Sequence, residues 1–403
     1  VTPEKLLEPH VAKSLERCRE HDTILAIGDT TSLDFSSRKE MHGLGPLSGA
    51  KENCGLGIHL HTTFLASESG IPLGVADNFA WVRDIEEQGD RARRCKTLPI
   101  DEKESRKWLR SLEVSRDIQQ ELGSEKQVVA VFDREGDIYS VLHDAINVQQ
   151  VDVVIRATHD RKLKDGDVQK RLWATVEERE LGRVTITVPR ARKRDEREAI
   201  LALYSCKVTI NEPPKRPAAE TRSGPVELTA VWAKEVTPGR KSGHLDWKLL
   251  TTLPVETQED AHRIVKLYSQ RWLIEIFFRT LKSGCKIEDR AFETAERLLN
   301  CLALDSIVAW SVMYLTRVGR ESPDLPCTTI FTDSEWKAAW VIAKPKQKPP
   351  SKPPTLREIT LIIGRLGGHL GRKGDGMPGT QALWRGLQRL ADLTAMWMAL
   401  NGK

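Results

Sequence analysis

"YSQRWLIEIFFRTLKSGCK", residues 268–286, has the spacing of a helix that is apolar on most sides. Leu273, Ile274, Ile276, Phe277, Phe278 and Leu281 cover most of its circumference, and a helix of that kind is buried in a large core. It nonetheless carries Tyr268, Arg271, Glu275 and Lys282, which at 3.6 residues per turn fall within an arc of about 60°. Trp272 and Arg279 flank that arc. Lone buried charges are costly, so the polar stripe must face partners inside a cleft. A structural ladder, with Arg271 and Arg279 each four residues from Glu275, accounts for the charges as well as a functional site does. The rest of the chain has to separate the two.

The chain has 403 residues, 39% hydrophobic and 30% charged, which allows two or three domains or one domain with a large insertion. We read no apolar run that could span a bilayer, and so expect no membrane partner. The formal charge of +5 does not by itself mark a nucleic-acid binder. Local basic clusters are more suggestive: "RARRCK" (91–96), "PRARKRDER" (189–197) and "KPKQKPPSK" (344–352), although such runs are commonly solvated surface. The seven cysteines are scattered without CxxC or Cys/His zinc spacing, which predicts free thiols in a reducing cytoplasm and no structural zinc. The N-terminus lacks an initiator Met and a signal-peptide core, which suggests a chain whose beginning has been removed.

Working outward from the stripe, residues 3–20 read as a helix opened by Thr2-Pro3. "TILAIGD" (23–29) reads as a short strand ending in Asp29, and residues 55–82 as a hairpin turning at Glu68-Ser69-Gly70. An amphipathic helix over 105–122 turns Trp108, Leu109, Leu112, Ile118 and Leu122 inward. "QVVAVFD" (127–133) is a buried strand ending in Asp133, followed by a helix near 137–147 and a strand over 151–158. This order predicts a mixed sheet covered by helices. Between 178 and 255 the texture becomes alternating strands, a β-rich insertion. Helix resumes over 257–283 and 288–319, "KPKQKPPSKPP" (344–354) is irregular, and the tail gives two helices around a Gly-rich basic loop.

Asp29 and Asp133 thus each end an apolar strand. If the strands are neighbours, both carboxylates emerge at one sheet edge, where open α/β sheets place their sites. A single Asp after a strand is more often a turn or cap. Two of them with Glu275 on a buried stripe supply three hard oxygen donors, which suit Mg²⁺ or Mn²⁺. Two such ions about 4 Å apart can clamp the attacking and leaving oxygens of a phosphoryl displacement. Arg271 and Lys282 would then meet phosphate oxygens, with Tyr268 orienting one. This favours a site over a ladder.

At these residues the chain resembles the DDE transposases of the insertion-sequence-four family. All four positions of that family's Tyr-(2)-Arg-(3)-Glu-(6)-Lys signature are filled, and "GDTTSLDF" (28–35) and "VFDREGDIY" (131–139) resemble its two aspartate blocks. The resemblance implies an RNase H-like α/β fold: a mixed sheet flanked by helices, a β-rich insertion domain and a helical C-terminal region. The corresponding boundaries are an N-terminal helix at 1–22 (the remnant of, or linker from, an upstream DNA-binding domain that is missing here), core at 23–177, insertion at 178–255, core at 256–320 and a DNA-contact or dimerisation region at 321–403.

The resemblance also implies roles. Asp29, Asp133 and Glu275 resemble the metal-binding catalytic triad, served by Mg²⁺ with Mn²⁺ as substitute. Tyr268, Arg271 and Lys282 resemble phosphate contacts. Trp247, in "HLDWKLLTT", resembles an insertion-domain tryptophan that stacks in the site of a flipped base, with Trp272 a second aromatic of that pocket; core packing is the plainer reading of either. Arg156 resembles a DNA-contacting arginine, and Arg134 is expected to join it in binding DNA. Arg134 and Glu135 are expected to orient the site, although an exposed pair is an equally ordinary reading. The implied activity is cut-and-paste transposition: cleavage frees a 3′-OH, which forms a hairpin, and after hairpin hydrolysis the 3′-OH joins target DNA. The partners are double-stranded DNA, both transposon ends and target, and a second copy of the chain in the synaptic complex. A truncated inhibitor that dimerises with full-length protein, or a structure-selective nuclease on the same fold, remain alternatives.

Overall fold

Residues 24–28 of the chain, "ILAIG", are almost wholly withdrawn from solvent, as befits a strand covered on both faces. In the computed structural model, which describes residues 1–48, 55–84, 97–165, 168–188, 196–214, 217–239, 243–372 and 374–401, they lie at the centre of one large sheet. The helix α1 (Pro3–Cys18) precedes it, its first turn capped by the Thr2 hydroxyl, which accepts from the Lys5 N–H. The strand β1 (Thr23–Asp34) follows, then β2 (Gly45–Pro46), β3 (Leu56–Ser67) and β4 (Pro72–Trp81). The β3–β4 hairpin turns as expected, with Gly70 in the left-handed region at φ +87°.

The helix α2 (Arg106–Leu122) leads to β5 (Gln127–Phe132), α3 (Tyr139–Asn147) and β6 (Asp152–Arg156). β4, β3 and β1 pair antiparallel, while β1, β5 and β6 run parallel. Alternation along β5 sends Val129 and Val131 to one face and Ala130 and Phe132 to the other. The expected helix-flanked mixed sheet is therefore present.

After a small hairpin, β7 (Lys162–Asp165) with β8 (Val168–Arg171), and a short helix α4 (Leu172–Glu177), come β9 (Glu180–Val188), β10 (Arg197–Ile210), β11 (Val226–Glu235) and β12 (Asp246–Thr251). These are the four strands read from the β-rich texture. They do not close into a sheet of their own. β12 pairs with β6 at Leu249↔Arg156, Leu250↔Ile155 and Thr251↔Val154, so the segment extends the central sheet to ten strands. The reason is burial: Leu249 and Leu250 are fully covered, one on each face, by the same cores that cover β5.

The helix expected over 257–283 is not one regular α-helix. α5 (Gln258–Ser269) passes through a tightened turn at Gln270–Arg271 into α6 (Trp272–Arg279), and then into a π turn at Thr280–Gly284 closed by the Cys285 N–H on the Thr280 carbonyl at 2.9 Å. π turns occur mostly as single turns, frequently at functional sites. α7 (Ala295–Glu321) begins seven residues later than the 288 read from sequence, because Thr294 bridges to His42 and serves as the N-cap. α7 is, by length and composition alone, long and apolar enough to cross a membrane, a run the sequence reading overlooked. Much of its apolar surface packs into the protein core: Leu298, Leu302, Ala309, Val312 and Leu315 are buried, and so is Asp305, paired with Arg290, while Leu304 is exposed. α8 (Asp333–Ala343), unread from sequence, packs with α9 (Leu356–Leu366) and α10 (Thr380–Leu400) around Trp336, Leu356 and Ile363.

Cys18, Cys206, Cys285, Cys301 and Cys327 are unpaired thiols. Cys54, Cys95, the 91–96 cluster and residues 189–195 of the second basic cluster lie outside the described residues.

Candidate active site

The parallel pairing of β1 with β5 ends at Gly28↔Phe132. The next residue on each strand is an aspartate, so Asp29 and Asp133 stand side by side where the two strands part. Asp133 ends its strand as expected. Asp29 does not: β1 runs on to Asp34, because β3 continues to pair with it as far as Asp34↔Gly57. What places Asp29 at an edge is the loss of its parallel neighbour, not the end of its own strand. Gly28 is required by the packing, since a Cβ there would lie 2.8 Å from the Phe132 ring.

Both carboxylates are held by local backbone. The Thr30 N–H donates to Asp29 Oδ1 at 2.7 Å, and the Glu135 N–H donates to Asp133 Oδ1 at 2.8 Å. Burial, and then the charge of Asp133, push the Asp29 carboxyl up to about 6. Burial likewise raises Asp133 above the usual carboxylate range. The cation facing them is Arg271. Its Nη1 donates to Asp29 Oδ2 at 2.9 Å and its Nη2 to Glu275 Oε1, so one guanidinium bridges two of the three carboxylates. The ladder half of the sequence reading is thus present at Arg271–Glu275. Arg279 takes a different partner, lying over the Trp272 ring at 5.7 Å.

The other singled-out residues are distributed around this group. Lys282 sits in the π turn, with its ammonium donating to the Ser32 carbonyl and 3.7 Å from Glu288. Tyr268 is 4% exposed and meets the half-buried Trp247 edge-on at 5.8 Å. Trp247 packs on the face of the sheet that α5 and α6 cover. Arg156 lies opposite Leu249, two residues along β12, and donates to the Asp246 carbonyl at 3.2 Å. Trp272 is 52% exposed, and Arg134 is exposed in the 3-10 turn Arg134–Gly136 that follows Asp133.

Sequence reading missed Lys107. It opens α2, is buried, and reaches Glu135 Oε2 at 3.0 Å. A lysine in the first turn of an amphipathic helix gives no signal of this, but the acidic "DREGD" turn that it meets was visible.

Among the described residues, no three His, Cys, Asp or Glu side chains already stand close enough together to hold a metal ion. The donor chemistry nonetheless fits a hard divalent cation. Asp29 and Asp133 are adjacent, half-buried and repelling each other, a condition such a cation relieves. Glu275 is engaged by Arg271, so joining that pair requires the Arg271–Glu275 contact to open.

Two family models match the chain. One, described as the transposase DDE domain, matches residues 106–304, a stretch containing Asp133 and Glu275 but beginning after Asp29. The other, described as the transposase Tn5 dimerisation domain, matches residues 307–396, from within α7 into α10.

Proposed function

The chain belongs to the DDE transposases, metal-dependent enzymes of DNA transposition, and is similar to the Tn5 transposase; from that premise we propose that it moves DNA by a cut-and-paste route through Asp29, Asp133 and Glu275. The observation that carries this reading is the placement of Asp29 and Asp133 side by side at the end of the β1–β5 pairing, facing Arg271 and Glu275.

In this reading Asp29, Asp133 and Glu275 would hold two divalent cations, Mg²⁺ or Mn²⁺. When bound, the cations supply positive charge to the attacking and leaving oxygens of an in-line displacement at phosphorus. The chain's own contribution is positioning and charge. The Thr30 and Glu135 N–H groups fix the two aspartates. Arg271, released from Glu275, and Lys282, on its π turn, are donors for phosphate oxygens. Tyr268, buried beside Trp247, supports that indole as a platform for a base taken out of the stack. Arg156 and the exposed Arg134 would contact the DNA backbone, and Trp272 offers an exposed ring.

The reaction series is a set of equivalent displacements. Water attacks the phosphodiester at the transposon end, and the 3′ oxygen leaves with a proton as a hydroxyl. That 3′-OH attacks the opposite strand, closing a hairpin and releasing flanking DNA. Water opens the hairpin, and the same 3′-OH then attacks target DNA. Two copies, joined through the region matched as a dimerisation domain, would hold the two ends in one synaptic complex. Residues 23–177 and 256–320 act as the catalytic core, 178–255 as its insertion and 321–403 as the dimerisation and DNA-contact region, with α1 packed against the core through Leu7, His10 and Cys18.

The test is incubation of the protein with a labelled duplex carrying the end of its element, in Mg²⁺. A nick, then a hairpin, then a flush product is the expected order. Flush double-strand cuts without a hairpin would overturn the hairpin step, and nicks with no second-strand cleavage would overturn the cut-and-paste route.

A further inference from the structure

Lys107 is 8% exposed, and lysine is among the residues least often buried without a partner. Its ammonium lies 5.3 Å from the centroid of the Trp108 ring and 5.6 Å from that of Trp81. Each contact is within cation–π reach, so the apolar stem and charged tip are both accommodated. The tip then reaches Glu135 Oε2 at 3.0 Å. Glu135 lies in the Arg134–Gly136 turn, and its own N–H is the donor to Asp133 Oδ1. The far end of the turn is also pinned: a Cβ on Gly136 would lie 2.8 Å from Phe132 Cβ. A continuous path of contacts therefore runs from the Trp108 indole on α2 and the Trp81 indole on β4, through Lys107 and Glu135, to the Asp133 carboxylate.

We propose that Lys107 is a positioning residue for Asp133: its ammonium and Glu135 act as one clamp that fixes the turn carrying that carboxylate. An ion pair between two exposed side chains would be weak, but only the Glu135 end is exposed here, at 67% against 9% for Lys107. The lysine has already lost its freedom in the folded state, so the clamp orders the glutamate alone. The proposal rests on the reading of Asp133 as a site residue, and its test keeps the two apart.

The full-length chain is compared with Lys107→Met, Lys107→Arg, Glu135→Gln, the Lys107→Met/Glu135→Gln double variant and Asp133→Ala. Three quantities are read: the single-turnover nicking rate on the end duplex, duplex Kd, and Mn²⁺ binding followed by the spin-resonance signal of the free ion. A thermal melt accompanies them. Lys107→Met and Glu135→Gln should each slow nicking by about 10- to 100-fold, the scale of a small misplacement at a reacting centre, with duplex Kd unchanged. The double variant should be no slower than the slower single, because both remove the same clamp. Lys107→Arg should recover part of the rate. Methionine fills the same apolar channel, so Lys107→Met should not lower the melting temperature. Loss of a nearby cation favours Mn²⁺ while a less well held Asp133 disfavours it, so Mn²⁺ binding should change far less than the nicking rate. Wild-type nicking by Lys107→Met, multiplied losses in the double variant, or a drop in melting temperature large enough to account for the slowed nicking would each overturn the clamp. If Asp133→Ala also nicks normally, the site reading has failed; if Asp133→Ala is inactive while Lys107→Met is normal, only the clamp has.

Discussion

Gly28 and Phe132 face each other as the last parallel pair of β1 and β5, and the phenyl ring occupies the space a Cβ on Gly28 would need, with a closest approach of 2.8 Å. This pair sets the spacing of the two aspartates that follow. Gly28→Ala should overpack the junction and cost about 1–3 kcal/mol, seen as a lower melting temperature. Nicking should fall further than that loss explains, because Asp29 is pushed away from Asp133. Adding Phe132→Leu should restore much of the stability by vacating the ring's space. A melt and a nicking assay on the single and double variants check this; an unchanged melting temperature for Gly28→Ala would mean the junction has room to spare.

Asp29 offers a pH signature. Its carboxyl is pushed up to about 6, by burial and by Asp133, against about 3.9 in an unfolded chain. Between these values the folded state keeps a proton that the unfolded state has released, so stability present below pH 4 is lost as pH rises through 6. The loss in metal-free protein is on the order of 3 kcal/mol. Asp29→Asn removes the titrating group. It should melt higher than the parent at pH 8 in a chelator, converge with it near pH 4, and fail to nick DNA. Asp133→Ala and Glu275→Ala should also abolish nicking. An equal melting difference for Asp29→Asn at both pH values would show that the titration is not operating.

Much of this site was legible because it rests on local pattern. The apolar strands ending near Asp29 and Asp133, the Gly70 turn and the spacing of Arg271 and Glu275 are all short-range signals. What was not legible depends on distant partners. β1 runs past Asp29 because β3 pairs with it, and nothing in "TTSLD" itself demands strand. The π turn under Lys282 and the tightened turn at Arg271 arise where the helix must meet both the sheet and α7. The β-rich segment looked separable, since alternation shows that strands are half-buried but not which sheet they join. Tyr268 looked like part of a polar stripe, yet its ring lies in the core. Lys107 carried no pattern at all, and only the fold brings it to Glu135.

Arg271 stands between Asp29 and Glu275, where a cation is needed whether or not DNA is present. Arg271→Ala should lower the melting temperature of metal-free protein by leaving these carboxylates uncompensated, and saturating Mg²⁺ should return most of the loss. It should also weaken DNA binding and reduce the slope of log K against log salt by about one. Lys282→Ala should reduce the slope in the same way without a stability loss that Mg²⁺ repairs, since its partners are the Ser32 carbonyl and Glu288. Melts with and without Mg²⁺, beside titrations at several salt concentrations, separate the outcomes. Lower stability with unchanged DNA affinity would leave Arg271 as a purely structural ladder residue.

Trp247 should matter more for hairpin closure than for the first nick. Closing a hairpin bends one strand sharply, and taking a base out of the stack relieves the crowding there. Unstacking costs a few kcal/mol, and an aromatic platform offsets about 1–3 kcal/mol of it. Trp247 is half-buried, held edge-on by Tyr268 at 5.8 Å, on the strand that pairs with Arg156's strand. Its ring is therefore fixed in orientation while part of its surface remains open. Trp247→Ala should accumulate nicked DNA with little hairpin, and Trp247→Phe should retain part of the hairpin yield because a smaller ring still offers a face. Some loss of melting temperature is expected for Trp247→Ala, since the indole also packs on the core. The discriminating quantity is thus the ratio of hairpin to nick over time, measured below the melting transition of every variant. A stacking role lowers that ratio for Trp247→Ala well below that for Trp247→Phe. Proportional slowing of nick, hairpin and flush product would instead assign Trp247 to core packing alone.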